Sequence, residues 1–226
     1  MAAKLSTRKR ILQASLQLFN TQGERNVTTN HIAAHLGISP GNLYYHFSNK
    51  QMIVAELFTD LDASIDTFFR LPPDRSVTLE DKTQYLESLL DNMWQFRFLY
   101  RDLEPLLEAD PELAERHLRF SQRSLDSATA IYQEFVAAGI LQMTPKQIEA
   151  VAVNAWIILN SWIRLLSTSC SEDHALDRTM LRRGIYQVLA LEEGFVAPAA
   201  QAAVQELLKQ FYVPLDQVLA GLNTSC

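Results

Sequence analysis

Residues 28–52 read TTNHIAAHLGISPGNLYYHFSNKQM, two short helices joined by a glycine turn and running into a third. Thr28 or Thr29 supplies the hydroxyl that caps the first helix. Ile32, Ala33 and Leu36 recur at helical spacing, and Gly37 falls where a helix ends in the left-handed region. Ile38 fills the turn. Ser39 caps the second helix, and Pro40 takes its first position, where a missing N–H costs nothing. Leu43 and Phe47, four apart, point inward and leave Asn42, Tyr44, Tyr45 and His46 on the outer faces. This is the layout of a helix-turn-helix, whose second helix enters the major groove of duplex DNA.

The segment resembles the DNA-binding signature of the tetracycline-repressor (TetR) family of bacterial regulators, T-x-x-I-A-x-x-x-G-[VI]-S-x-G-x-[LF]-Y-x-[HY]-F-x-x-K. Thr29, Ile32, Ala33, Gly37, Ile38 and Ser39 match its first half; Gly41, Leu43, Tyr44, His46, Phe47 and Lys50 match its second. The resemblance implies an all-α chain, with a three-helix DNA-binding domain over residues 1–50 and an effector-binding and dimerisation domain over residues 51–226. It implies a cytoplasmic homodimeric repressor, released from a palindromic operator in double-stranded DNA by a small apolar or amphipathic effector. Ser39, Asn42, Tyr45 and His46 would then reach bases or phosphates, with Pro40 and Gly41 beside them. Thr28, Thr29, Tyr44 and Lys50 would hold the DNA backbone, since backbone contacts position and base contacts specify. The wording GISPGNLYYHF, with the apolar run containing NAWIILNSW, is similar to regulators of fatty-acid and polyhydroxyalkanoate metabolism. That similarity implies an acyl or acyl-CoA type effector.

Charge is distributed to match. The chain of 226 residues has a net charge of −6, which taken whole argues against nucleic acid. Residues 1–50 point the other way: Lys4, Arg8, Lys9, Arg10, Arg25 and Lys50 stand against Glu24 alone, a net +5 that leaves −11 for the remainder. A basic head on an acidic body fits a DNA-binding module joined to a domain with other work. The length suits one large or two small domains. The 2 cysteines, Cys170 and Cys226, lack metal-ligand spacing, so no disulfide or zinc site is expected and the compartment is a reducing one. The N-terminus carries no apolar stretch of signal-peptide type. The most apolar run, Val151 to Leu166, contains Asn154, Asn160, Ser161 and Arg164 and reads as too short and too interrupted to span a bilayer. No membrane partner is expected.

Elsewhere the pattern stays helical. Ser6 or Thr7 caps a first helix faced by Ile11, Ser15, Leu18 and Phe19 and ended by Gly23. Arg8, Lys9 and Arg10 at its start oppose the macrodipole, which fits either phosphate proximity or plain solvation. Ser48 with Gln51 forms a capping box for a fourth helix striped by Ile53, Leu57, Leu61, Ile65 and Phe68, with Asp66 on another face. Pro72 to Val77 is a linker candidate. A helix is expected from Leu79 to about Tyr100, Pro105 interrupts the next piece, and Asp110-Pro111 opens a long helix ending near Gly139. Thr144-Pro145-x-Gln147 opens another from Lys146 to about Thr168. It is apolar all round, so it needs burial on several faces, one of them against a second subunit. Ala175–Leu191 and Pro198–Leu222 complete the body, and Gln201–Leu219 is expected to join the dimer interface.

Catalysis finds no support. His31 and His35 stand four apart, but Asn30 and Ile32 occupy the places beside His31 where a zinc-binding H-E-x-x-H needs Glu. His117 and His174 belong to no motif, and no G-x-S-x-G, P-loop or dinucleotide turn occurs. No enzyme activity, cofactor or metal is expected. Trp94, Phe98, Phe120, Trp156 and Trp162, with Arg101 and Arg123 available to an anion, form the candidate ligand pocket. For any one of those aromatic residues, ordinary core packing is the plainer account. A helical ligand-binding or adaptor protein that no longer binds DNA is the alternative function.

Overall fold

The computed structural model describes residues 5–169 and 176–219, and of residues 66–68 the backbone only. Expectations resting on Lys4, Cys170, His174 and Cys226, on the side chains of Asp66 and Phe68, and on helix ends at Ala175 and Leu222 lie outside the described residues. Among the described residues the chain is all-α, as expected. Its helices are α1 (Thr7–Gln22), α2 (Thr29–Leu36), α3 (Pro40–His46), α4 (Lys50–Phe68), α5 (Leu79–Gln95), α6 (Arg97–Arg101), α7 (Leu103–Ala109), α8 (Pro111–Ala137), α9 (Pro145–Ser169), α10 (Arg178–Glu192), α11 (Gln201–Phe211) and α12 (Leu215–Val218). Packing gathers them into two compact units, Met1–Ser64 with Phe96–His117, and Ile65–Gln95 with Leu118–Cys226. Neither boundary coincides with a division after residue 50.

In the first unit, α1 to α3 close on Ile11, Phe19, Ile32, Leu43 and Phe47, all fully buried. Ser6 caps α1, its Oγ accepting from the Lys9 amide at 3.3 Å, and Gly23 ends the helix at φ 85°. α6 completes this core from far along the chain. The rings of Phe19 and Phe98 lie 5.2 Å apart, and Asn20 Oδ1 accepts from the Phe98 amide at 3.0 Å. Arg101 Nη2 donates to the Phe19 carbonyl at 2.8 Å, beside the bond which that carbonyl takes from the Gly23 amide at 3.1 Å, and so ties α6 to the end of α1. Ile53, Leu57 and Leu61 of α4 are buried as the stripe predicts. Arg116, in the first turns of α8, donates to Ala55 O at 3.2 Å and to Thr59 Oγ1 at 2.7 Å.

Several boundaries differ from expectation. Asn49, not Ser48, caps α4, because its Oδ1 stands one residue nearer and accepts from the Met52 amide at 2.8 Å. The helix expected to run to Tyr100 breaks at Phe96, which leaves helical geometry at φ −106°, ψ 25°. The next break falls at Asp102, whose carboxylate turns back to Arg101. Pro105 sits inside the first turn of α7, where its missing N–H has no intrahelical acceptor to serve. The last expected helix is cut in two, since Pro214 cannot donate and bars the preceding residue from helical geometry.

In the second unit α10 is the central element, packed on α5, α9 and α11 through Leu181, Ile185, Val188 and Leu189. α8, which enters this unit at Leu118, begins in the first unit where expected, with Asp110 Oδ1 accepting from the Glu112 and Leu113 amides at 3.1 Å each. α9 is 25 residues long, longer than the apolar run alone suggests, and by length and composition it is apolar enough to cross a membrane, with a mean hydropathy of 1.3 over its most apolar 18-residue window. It buries Val151, Ala155, Trp162, Ile163 and Leu166, and exposes Val153, Ile157 and Leu165. Gly184 of α10 lets α9 approach: a Cβ there would stand 2.6 Å from Trp162 Cδ1 and 2.7 Å from Cγ. The indole is pinned there, its Nε1–H donating to Met180 O at 3.0 Å. In an open helix Gly→Ala stabilises by about 1 kcal/mol. Here the sign reverses, and Gly184→Ala lowers stability by about 1–3 kcal/mol, read from the urea midpoint.

Candidate nucleic-acid interface

The geometry of the helix-turn-helix follows its sequence closely. Thr28 caps α2, its Oγ1 accepting from the His31 amide at 3.2 Å while His31 Nδ1 accepts from the Thr28 amide at 3.4 Å. Gly37 takes φ 64°, ψ 33°, and the Ile38 amide donates to Ala33 O at 3.0 Å to close the turn. Ser39 Oγ then accepts from the Asn42 amide at 3.2 Å and starts α3. Leu43 and Phe47 are buried, so the opposite side of this helix turns outward. Tyr45 is 86% exposed and Tyr44 47%, the Tyr44 hydroxyl pairing with Thr29 Oγ1 at 3.1 Å. Thr28, Ser39, Pro40, Gly41 and Asn42 are exposed beside them, while Thr29 and His46 are half-buried. The His46 ring meets the Tyr45 ring edge-on at 5.1 Å.

Two basic residues have other work than phosphate. Lys50 turns inward: its ammonium donates to Glu24 O at 2.9 Å and Val27 O at 3.0 Å, and pairs with Glu24 Oε1 at 2.7 Å. Three protons meet three acceptors, so Lys50, expected at the DNA backbone, also braces the head from within. Glu24, the lone acid of the basic head, was the available signal in the sequence. Arg8 is likewise engaged. It pairs with Glu56 of α4, donates from Nη1 to His46 O at 2.6 Å, and lies over the Phe47 ring at 4.1 Å. Lys9 and Arg25 remain exposed.

Comparison with known proteins bears on this geometry directly. The tetR-family regulatory-protein profile matches residues 11–57, and the TetR profile, described as a bacterial transcriptional repressor, matches residues 61–204. A TetR-family transcriptional regulator from Marinobacter aquaeolei VT8 is 43% identical, with a TM-score of 0.85 over 92% of this chain and 100% of that one. The chain belongs to the TetR family. It is a DNA-binding transcriptional regulator of that family. HTH-type transcriptional regulator SAR2658 of Staphylococcus aureus (strain MRSA252) is 32% identical over 128 residues, 56% of this chain but only 62% of that protein. The ketosteroid regulator KstR2 of Mycobacterium tuberculosis shares the fold alone, at 17% identity and TM-score 0.60 over 86% of this chain and 97% of that one.

In this TetR-family regulator the residues expected to share a ligand pocket are divided between the two units. Phe98 and Arg101 serve the core of the first unit, as described above. In the second, the rings of Phe120 and Trp156 lie 5.9 Å apart, Trp162 is committed to Met180, Trp94 is half-buried and Arg123 is exposed. His117 packs against Phe58 at 6.1 Å, and burial lowers its pKa. A cavity of about 90 Å³ in the second unit is lined by residues that sequence reasoning missed, among them Lys82, Tyr132 and Glu192. A larger hollow of about 510 Å³ in the first unit has a mixed lining, with Arg25, Lys50, Glu108 and Asp110 beside Val54, Leu106 and Leu113. Lys50→Met strands the buried Glu24 and should cost the first unit about 1–3 kcal/mol, seen as faster amide exchange across α2 and α3. Tyr45→Ala, which removes an exposed ring, should leave that exchange unchanged.

Proposed function

We propose that this regulator is a cytoplasmic homodimeric repressor that leaves a palindromic operator when its body takes up a small, mainly apolar effector. Residues 1–50 read DNA, and residues 51–226 dimerise and bind the effector. The observation that carries the reading is α3, whose inner face is buried at Leu43, with Phe47 just beyond it, while Asn42, Tyr44 and Tyr45 stand exposed. Ser39, Asn42, Tyr45 and His46 contact bases or phosphates, with Pro40 and Gly41 close to the groove edge. Thr28, Thr29 and Tyr44 hold the DNA backbone, the Thr29–Tyr44 hydrogen bond setting the tyrosine hydroxyl in place.

One head covers too few base pairs for useful specificity, and two heads about 34–36 Å apart read successive major grooves. α9 supplies the joining surface. Val153, Ile157 and Leu165 repeat at multiples of four along its exposed side, and Ile157 is 54% exposed. A row of that kind marks an interaction site in a water-soluble chain.

Selection of bound duplexes from a random pool should return a palindrome. Against it, Asn42→Ala and Tyr45→Ala each cost about 1–3 kcal/mol of operator affinity, with specificity relaxed at the contacted bases. Ile157→Glu turns the dimer into a monomer by light scattering and weakens operator binding about a hundredfold or more. Full operator affinity from the monomeric variant would defeat the dimer reading.

A further inference from the structure

In the second unit a charged pair lies where the helical pattern asks for apolar residues. Lys82 of α5 forms an ion pair with Glu192 of α10, and their side chains are only 6% and 3% exposed. Tyr132 of α8 donates from its hydroxyl to Glu192 Oε1 at 2.7 Å. Burial and the neighbouring carboxylate push the Tyr132 pKa well up, so the phenol keeps its proton. The Lys82 ammonium lies 4.7 Å from the centre of the Phe135 ring and 5.6 Å from that of Tyr132. These groups line the cavity of about 90 Å³ together with Tyr85 and a mainly apolar set that includes Leu89, Ile131 and Leu159.

A buried ion pair is commonly no more stabilising than apolar side chains of the same volume, so its presence beside a void asks for a use. Lys82 has three N–H donors and one carboxylate partner, and can give a further hydrogen bond into the cavity. Glu192 already balances its charge. A second anion would leave this dry site with an uncompensated negative charge, which is costly. A neutral acceptor oxygen adds no charge. The walls enclose about 90 Å³ and the cavity is half open to solvent, so only one end of a ligand is held within them.

We propose that this cavity is a binding site for a small uncharged molecule, apolar over most of its surface, that carries one hydrogen-bond-accepting oxygen seated against Lys82. The inference rests on the reading that the body takes an effector, and it names the chemistry of that effector's buried end.

The test uses the full chain and three probes of similar bulk: cyclohexanone, methylcyclohexane and cyclopentanecarboxylate, followed by ligand-observed NMR. Cyclohexanone should bind about tenfold more tightly than methylcyclohexane, the factor supplied by one net hydrogen bond, and the carboxylate most weakly. Because Lys82→Met alone strands Glu192 and endangers folding, the informative variant joins Lys82→Met to Glu192→Gln, and should bring the two neutral probes to equal affinity. Ala128→Phe grows into the cavity from α8 and should abolish binding of both while the fold is kept. Unchanged binding to Ala128→Phe, a preference for the carboxylate, or no saturable binding of cyclohexanone at millimolar concentration overturns the proposal. Cyclohexanone binding that responds to these variants but leaves operator affinity unchanged upholds the site and defeats the release mechanism instead.

Discussion

α3 has seven residues, too few to be stable as a helix in water, and everything this protein does with DNA depends on holding it in place. The hold is mainly hydrophobic. Leu43 and Phe47 go to full burial against α1 and α2, each such side chain contributing roughly 1.5–3 kcal/mol. Polar groups then fix what burial alone leaves free to rotate. Arg8 takes the His46 carbonyl at the end of α3, and Lys50 ties the start of α4 to the Glu24 and Val27 carbonyls ahead of α2. Two basic residues of the head thereby act as internal braces, and the outward face keeps Asn42, Tyr44 and Tyr45.

The same dependence explains why the first compact unit is not a contiguous stretch. α1 to α3 are completed by α6, through the Phe19–Phe98 ring contact and the Asn20 and Arg101 hydrogen bonds. A head cut at residue 50 would expose Phe19 and leave the carbonyls ending α1 without Arg101. The chain passes between the two units three times, within α4, between α5 and α6, and within α8. A ligand uses such links only if it favours one arrangement over another.

The body shows what a charged residue at a core position signifies. Lys82 falls in register with Leu86, Leu89 and Met93, and Glu192 with Leu181, Ile185 and Val188, so each interrupts an apolar stripe. Taken singly, either looks like a solvated residue at a helix end. Only the packing of α5 and α8 on α10 brings the ammonium, the carboxylate and the Tyr132 hydroxyl together.

By itself the sequence determined the all-α class, the caps at Ser39, Asp110 and Thr144, the left-handed turn at Gly37, and the inward set of the helix-turn-helix, and it narrowed two further caps to Ser6 or Thr7 and Thr28 or Thr29. Those features are local: a hydroxyl reaches an amide three residues on, and a 3.6-residue period decides which side is apolar. It also carried the family, because the signature is itself a list of local requirements. Tertiary structure alone decided that Asn49 outcompetes Ser48 as a cap, that the chain breaks at Phe96 and Asp102, that Lys50 and Arg8 face inward, and that Phe98 and Trp156 belong to different units. Each of those outcomes depends on a partner distant in sequence, or on competition between neighbouring groups for one donor. Helical periodicity says which face is buried but not what it is buried against.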